Sequence, residues 1–281
     1  MKKGFSIFCL LVASISIPKS AFSQENEIGA WIGTTVYLGD LNPTVSFKNA
    51  RWGAGAFYRR NINNRMSVKA GFNYGFLDAA DNRIKRYPYL QARNLDFKSQ
   101  IAEVAITYEI NFFKYSTFER NTKRWTPYLF GGISMFYFSP YTKYDGNKIA
   151  LEKVGTEGQK TPNRPNKNRG YNSYSFGIPY GGGFKVALNQ NWSLNIEAST
   201  RFTFTDFLDD VSGSYAEPED VNFFINGSGP NIAPFLADKS NPKIGIPGKQ
   251  RGTSSEKDRF MMIGVGITYT FINIKCPKVL N

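Results

Sequence analysis

Histidine is absent from the 281 residues of this chain, and cysteine occurs only twice, as Cys9 and Cys276. Without histidine, the Ser-His-Asp and Cys-His catalytic arrangements, histidine-ligated metals and histidine pH switches are all excluded. Acidic residues are scarce as well, at 22 against 35 lysines and arginines, so the formal net charge is +13. A surplus of this size commonly indicates nucleic acid or an anionic surface as the partner.

The one long apolar run lies at residues 5–17 and is too short to cross a bilayer as a helix. Lys2 and Lys3 precede it and small residues at 21–23 follow it, an arrangement typical of a secretory signal peptide. We predict that residues 1–23 are cleaved and that residues 24–281 form a single domain. Loss of Lys2, Lys3 and Lys19 lowers the net charge from +13 to +10. An exported chain is not expected to meet nucleic acid, and Cys276 alone cannot form an intramolecular disulfide.

The remaining sequence alternates apolar with polar or small residues. In residues 259–271, for example, Met261, Ile263 and Val265 share one face with later apolar residues, while glycines and threonines occupy the other. Alternation sustained over a dozen residues is typical of a membrane-spanning strand, because strands of globular proteins are usually shorter. Eight segments follow this pattern, namely 26–38, 51–61, 65–76, 101–112, 125–138, 174–188, 192–204 and 259–271.

Long and short connections between these segments alternate. The long ones, at 39–50, 77–96, 139–173 and 205–258, all fall on one side, as do the extracellular loops of outer-membrane barrels. Aromatic residues near the segment ends suggest interfacial girdles, with members Trp31, Trp52, Tyr58, Trp125, Tyr128, Phe138, Trp192, Phe204 and Phe271. We predict an all-β protein, an eight-stranded antiparallel transmembrane β-barrel with long extracellular loops. It is expected to be integral to the Gram-negative outer membrane with both termini periplasmic, and a soluble β-sandwich is the alternative fold.

Charged residues occur on the polar faces of the segments and are predicted to point into the barrel. They are Arg59, Lys69, Glu103, Glu109, Lys185, Glu197 and Arg201. Opposite charges in so narrow an interior should pair, because an unpaired buried charge is costly. Since side chains can fill an eight-stranded barrel, we predict a stabilising charged plug. Ion conduction, and use of Glu103 and Glu109 as paired catalytic acids, are the alternatives.

The loops offer weaker signals. Residues 155–169 are rich in Pro, Asn and Lys, which predicts a solvated loop. The connection at 205–258 is too long to lack structure, and residues 221–225 are predicted to form a short strand or a packed cap. It carries an acidic cluster of Asp206, Asp209, Asp210, Glu217, Glu219 and Asp220. We expect this cluster to be solvated and not to bind calcium, because the sequence contains no EF-hand spacing. We also expect no metal, no cofactor and no enzymatic activity.

Residues 27–43 read EIGAWIGTTVYLGDLNP, residues 51–63 read RWGAGAFYRRNIN, and the last strand carries Gly264 and Gly266. This combination resembles the PorG family, outer-membrane β-barrels of the type IX secretion apparatus of Bacteroidota. The resemblance implies a non-catalytic component that associates with a periplasmic ring built from a lipoprotein and its partner.

The sharpest part of this resemblance includes a turn signal and candidate contact loop made of Gly39, Asp40, Leu41, Asn42 and Pro43. The basic surplus suggests outer-membrane lipid and lipopolysaccharide as further partners. The alternative function is a free-standing small outer-membrane barrel that acts as an adhesin or surface-protection protein.

Overall fold

The computed structural model describes residues 24–119, 121–160, 170–227 and 229–273. The predicted signal peptide and Cys276 therefore lie outside the described residues. Eight long strands make up the fold, with a short ninth, β6, that pairs only with β5. The strands are β1 (Gln24–Leu38), β2 (Arg51–Asn63), β3 (Met66–Ala80), β4 (Asp96–Asn111), β5 (Trp125–Tyr144), β6 (Asn147–Ala150), β7 (Tyr174–Ala187), β8 (Trp192–Thr203) and β9 (Arg259–Asn273).

All pairings between the long strands are antiparallel, and all except the β1–β9 pairing join long strands that follow one another in the chain. The first and last strands close the sheet, with a continuous register from Gln24 opposite Asn273 to Leu38 opposite Arg259. The β4–β5 pairing completes the ring. A closed sheet leaves no long strand with an unpaired edge. The predicted eight-stranded antiparallel β-barrel is confirmed.

Several strands run further than the alternation indicates. The β3–β4 ladder continues to Ala80 opposite Asp96, and β5 continues to Tyr144. Both extensions lie in segments that were predicted to be loops. In β3, Leu77-Asp78-Ala79-Ala80 breaks the alternation of apolar and polar residues. In the structure both faces of this extension are covered, since Leu77 and Ala79 are buried inside and Asp78 is buried beneath Arg51 and Arg83 outside. Loops that pack over a strand therefore remove the alternation that would reveal it.

The connections at the two ends of the barrel differ in length, although the 112–124 segment at the end with the short links is about as long as 39–50. One end carries short links at 64–65 and 188–191 and the 112–124 segment, while the other carries 39–50, 81–95, 145–173 and 204–258. We call the described parts of these last four connections the cap. The cap contains α1 (Pro88–Arg93), α2 (Leu151–Val154), α3 (Ala233–Ala237) and 3₁₀ turns at Phe47–Asn49, Asp81–Arg83, Pro218–Asp220 and Ile225–Gly227. Among the described residues, none of the helices is long and apolar enough to cross a membrane.

The main apolar core lies where the barrel meets the cap. Strand residues such as Tyr37, Phe97 and Phe260 pack there against loop residues such as Leu41 and Leu208, all at most 1% exposed. Ring contacts tie the strands together, for example Tyr37 with Phe97 at a centroid distance of 4.8 Å. Barrel and cap thus share one core, which fills the cap-side end of the barrel.

A second apolar cluster lies within the cap itself. Its members are Ile149, Val154, Val221, Ile232, Ala233 and Leu236. Residues 221–225 belong to this packed region and form no strand, so they are a packed part of the cap and not the short strand that was the other prediction. The prediction that residues 155–169 are solvated is wrong for the described part, since Thr156 and Glu157 are completely buried. The cause is tertiary: Glu157 forms an ion pair with Arg251 at 3.0 Å.

The outer face of the barrel is apolar around its circumference. Ile32 and Ile133 are 68% and 69% exposed, and most outward positions at mid-height carry Ile, Val, Leu, Met or Phe. An exposed apolar surface that encircles a protein far exceeds the patches found on soluble monomers. The barrel is therefore built for apolar surroundings.

Outward aromatic residues flank this apolar band at both ends. We call Trp52, Tyr74, Phe76, Tyr137, Tyr174, Phe202 and Phe204 the upper girdle, on the cap side. The lower girdle consists of Tyr58, Tyr108, Trp125, Phe184, Trp192, Tyr269 and Phe271. Three predicted girdle residues face inward instead: Trp31 lines the lumen, while Tyr128 and Phe138 are buried in it. The prediction used only the position of each residue near a strand end. Successive side chains of a strand point to opposite faces, and this alternation decides which residues face inward.

Candidate functional site

Glu109 is completely buried on β4 and is the centre of the charged interior. Its carboxylate contacts Arg59 Nε at 2.8 Å, Lys185 Nζ at 2.7 Å and Lys69 Nζ at 3.2 Å. These cations project from β2, β7 and β3, at positions where the alternation of each strand turns the side chain inward. Their attraction offsets the cost of removing four charges from water.

Two further carboxylates balance these cations. Glu27 accepts hydrogen bonds from Arg59 and from Asn61, the latter at 2.7 Å. Glu197 forms an ion pair with Lys69 at 2.6 Å. We call Glu27, Arg59, Lys69, Glu109, Lys185 and Glu197 the lower network. Three cations thus face three carboxylates, and the lower network carries no net charge.

A separate pair lies nearer the cap. Arg201 on β8 contacts Glu103 on β4 at 2.9 Å, and both are buried. Asn73 donates to the same carboxylate at 2.8 Å and accepts a hydrogen bond from the indole nitrogen of Trp31, also at 2.8 Å. This upper pair is neutral as well and is held by a chain of side-chain hydrogen bonds across the lumen.

The seven residues predicted to line the lumen all lie inside the barrel, and each takes part in at least one ion pair. The structure divides them into the lower network and the upper pair. The prediction omitted Glu27, which supplies the second carboxylate to Arg59. The sequence indicates that Glu27 points inward, because the exposed Ile28 and Ile32 define the outward face of β1 and Glu27 lies on the opposite face.

A small cavity separates the two charged groups. Its volume is about 40 Å³, and apolar lining residues such as Phe57, Phe130 and Pro179 meet the polar heads of Lys69 and Arg201 there. Such a space holds about one or two water molecules. The shared core lies on the cap side of this cavity, and the lower network lies on the other side.

The candidate contact loop is largely inside the protein. Leu41 is 1% exposed and Asn42 is completely buried, with the Asn42 side chain donating to the Tyr37 carbonyl at 2.6 Å. Asp40 accepts the backbone N–H of Thr253 at 2.8 Å through its side chain. The motif therefore anchors the cap to the end of β1. A contact role stays a prediction, and within the segment Pro43 is the residue whose side chain is exposed.

Arg93 and Arg251 hold the cap together from inside. Arg93 contacts both carboxylate oxygens of Asp81 at 2.8 Å and donates to the backbone carbonyls of Asp40 and Arg251. Arg251 in turn pairs with Glu157, whose carboxylate also accepts two backbone N–H groups of the long loop. Both arginines are at most 3% exposed, so each fastens one loop to another through charge-assisted hydrogen bonds.

Half of the acidic cluster in the long loop is buried, contrary to the preference for solvation. The Tyr37 hydroxyl lies 2.6 Å from a carboxyl oxygen of Asp209 and 2.6 Å from one of Asp258. Two such contacts need two protons, and tyrosine supplies only one, so the geometry requires a proton on one of the two carboxyls. Burial and the neighbouring carboxyl groups raise the pKa of Asp209 well above its ordinary value, and burial does the same for the pKa of Asp258.

The neighbouring acids follow the same trend. Burial raises the pKa of Asp206 to about 7 and that of Asp210 to about 6, although Ser212 and Thr156 donate hydrogen bonds to them. Within the described residues, no group of three or more His, Cys, Asp or Glu side chains is arranged to hold a metal ion. The cluster is a protonatable part of the cap.

The charged interior offers little for catalysis. Glu103 and Glu109 belong to different groups, and each is held by at least one cation. A general acid or base needs a free position from which to exchange a proton with a substrate. Charge balance, burial and filled space are features of a structural plug.

A family model described as "Domain of unknown function (DUF6089)" matches residues 2–228. The chain belongs to this family. The DUF6089 match extends over β1–β8 and much of the cap, whereas β9 lies beyond it. A comparison of the DUF6089 chain with curated proteins gives no match.

Several solved structures are similar in fold. Ail, the attachment invasion locus protein of Yersinia pestis, shares 10% identity with a TM-score of 0.41 and covers 89% of this chain and 100% of its own. Neisserial surface protein A shares 10% sequence identity at a TM-score of 0.39, and the match covers 90% of this chain and 98% of its own. The outer-membrane protein OprG from Pseudomonas aeruginosa shares 12% sequence identity at a TM-score of 0.38, and the match covers 89% of this chain and 96% of its own. At these values no property of the three proteins can be transferred to the DUF6089 chain.

Proposed function

We propose that this protein is a non-catalytic outer-membrane barrel that serves as a structural component of a type IX secretion apparatus. The observation that carries the proposal is the filled, neutral interior, in which every predicted lumen charge is paired. A packed and charge-balanced interior favours a role for the outer surfaces and the ends of the barrel. The sequence resemblance at residues 27–43 and 51–63 supports the secretion apparatus as the setting.

The outer face supports the membrane placement. On β8, Trp192 belongs to the lower girdle and Phe202 to the upper one. A rise of about 3.3 Å per residue and a tilt of about 40° place them roughly 25 Å apart along the barrel axis. The apolar band of outer-membrane barrels is about 25 Å tall. The cap then extends from the outer surface, and the short links at 64–65 and 188–191 face the periplasm.

Affinity purification tests the secretion role. After mild detergent extraction, a tagged barrel should carry with it the ring lipoprotein and the periplasmic partner of that lipoprotein. A photo-reactive amino acid at Asn64, in the β2–β3 turn, should cross-link to a ring protein, whereas the same residue at Phe224 in the cap should not. Recovery of the barrel alone, with no cross-link from Asn64, would overturn the proposal.

A second candidate function has one observation in its favour. Large apolar side chains of the cap are exposed at 44–60%, namely Val45, Phe47, Tyr89, Phe224, Phe235 and Ile246. Such residues suit contact with another molecule at the cell surface, as in an adhesin or surface-protection protein. A cross-link from Phe224 to a surface ligand, with secretion unaffected by deletion of the gene, would favour this alternative.

A further inference from the structure

Three lysines surround one tyrosine on the outer face of the barrel, beside the cap. Lys98 on β4 is directly opposite Tyr141 on β5, and Lys143 on β5 is opposite Lys148 on β6. Parity places all four on the outward side, since Tyr141 and Lys143 continue the face of Tyr137. The ammonium group of Lys148 lies 3.8 Å from the centroid of the Tyr141 ring. We call these four residues the lysine patch.

The lysine patch lacks counter-charges of its own. Within the described residues, none of the three lysines has an ion pair, although the strands beside them carry acids. Asp78 is opposite Lys98 but is held by Arg51 and Arg83. Asp96 likewise is held by Lys239. These two carboxylates are therefore already paired with other cations, and the three lysines of the patch present positive charge on the outer face.

The height of the patch relative to the membrane identifies the anion. Ala102 and Tyr137 form a cross-strand pair at the upper girdle, and Lys98 and Tyr141 form the pair four positions higher. This difference is roughly 10 Å along the barrel axis at a rise of about 3.3 Å per residue and a tilt of about 40°. The headgroup region of a bilayer extends about 5–8 Å beyond the hydrocarbon on each side. Long lysine side chains can bend down into this layer.

We propose that the lysine patch binds the phosphate groups of an anionic lipid in the outer leaflet, as carried by the lipid A part of lipopolysaccharide. Lysines bind phosphate as point charges, and the Tyr141 hydroxyl adds a hydrogen-bond donor. Lys98 lies directly across from Tyr141 on one side, about 5 Å away, and Lys148 lies diagonally on the other side with its ammonium group over the Tyr141 ring, so one phosphate can contact both lysines. The inference rests on the membrane placement proposed above and is independent of the secretion role.

Lipid binding to the purified full chain in nanodiscs tests the patch. The probe is bisphosphorylated lipid A, the comparison is lipid A stripped of both phosphates, and native mass spectrometry measures the bound lipid. The variant Lys98→Gln/Lys143→Gln/Lys148→Gln should bind the bisphosphorylated lipid about 100-fold more weakly, since each basic residue near an anionic surface contributes about 5-fold. The dephosphorylated lipid should bind wild type and variant equally weakly.

The control variant removes the same charge elsewhere on the cap side. Lys48, Lys85 and Lys249 are exposed cap residues outside the patch, and their triple change to Gln should leave lipid A binding within about 3-fold of wild type. Equal loss in both variants, or tight binding of the dephosphorylated lipid, would overturn the assignment. Heat-modifiable gel mobility reports barrel insertion separately, so a failure of membrane placement is distinguishable. Unchanged lipid binding, combined with loss of an acidic protein partner, would also contradict it.

Discussion

Removal of the Glu109 carboxylate should destabilise the barrel strongly. The variant Glu109→Gln keeps the shape of the side chain but leaves Arg59, Lys69 and Lys185 with only Glu27 and Glu197 as counter-ions. The interior then carries one uncompensated positive charge, where the native lower network carries none.

The distances set the scale of this effect. At 2.7–3.2 Å and an effective dielectric constant of about 20, each of the three contacts has a gross Coulomb energy of about 5–6 kcal/mol. Desolvation of the charges offsets most of this attraction, and deletion of one partner of a buried pair typically costs about 3–5 kcal/mol. We therefore expect the free energy of unfolding to fall by about 3–5 kcal/mol.

Urea-dependent unfolding in lipid vesicles, followed by tryptophan fluorescence and gel mobility, measures this change. The double variant Glu109→Gln/Lys185→Met restores neutrality and should regain most of the loss. The control Glu219→Gln alters an exposed cap acid and should change stability by less than about 0.5 kcal/mol. The electrostatic explanation fails if Glu109→Gln unfolds like wild type, or if the double variant is less stable than the single one.

Three further predictions concern the cap and the lumen. Because the folded-state pKa values of Asp209 and Asp258 are raised, their contribution to the stability of the cap should be present at low pH and be lost as pH rises through those values. The hydrogen-exchange protection factors of the long loop, corrected for the intrinsic pH dependence of amide exchange, should therefore fall at alkaline pH, and Asp258→Asn should flatten this dependence. Wild-type protection factors that do not change with pH would contradict the shared proton. Arg251→Met strands the Glu157 carboxylate and should cost the cap about 3–5 kcal/mol, seen as faster proteolysis of the loop with the barrel intact. In planar bilayers the purified chain should show no resolvable channel conductance, and steady single-channel steps would refute a filled lumen.

The alternation of apolar and polar residues, together with the sorting of long and short connections, predicted the barrel, because half of each strand faces an apolar exterior and half a polar lumen. The lumen residues followed from the same parity, down to the separation of Lys69 and Lys185 from the outward side chains. The cap was not predictable in this way. Glu157 and Arg251 are 94 positions apart, and nothing in the Pro- and Asn-rich sequence around Glu157 indicates burial. Loop packing of this kind depends on tertiary contacts, which leave no local period.

The shared core also governs how the loops can be altered. Exposed surface loops that do not pack against the rest of a protein usually tolerate insertions. Here Leu41 and Leu208 are loop residues that pack against Phe97 and Phe260 of the wall. Replacement of either segment would open the cap-side end of the barrel to water. Epitope tags and reporters therefore belong at exposed stretches such as residues 254–257, where an insertion leaves the core closed.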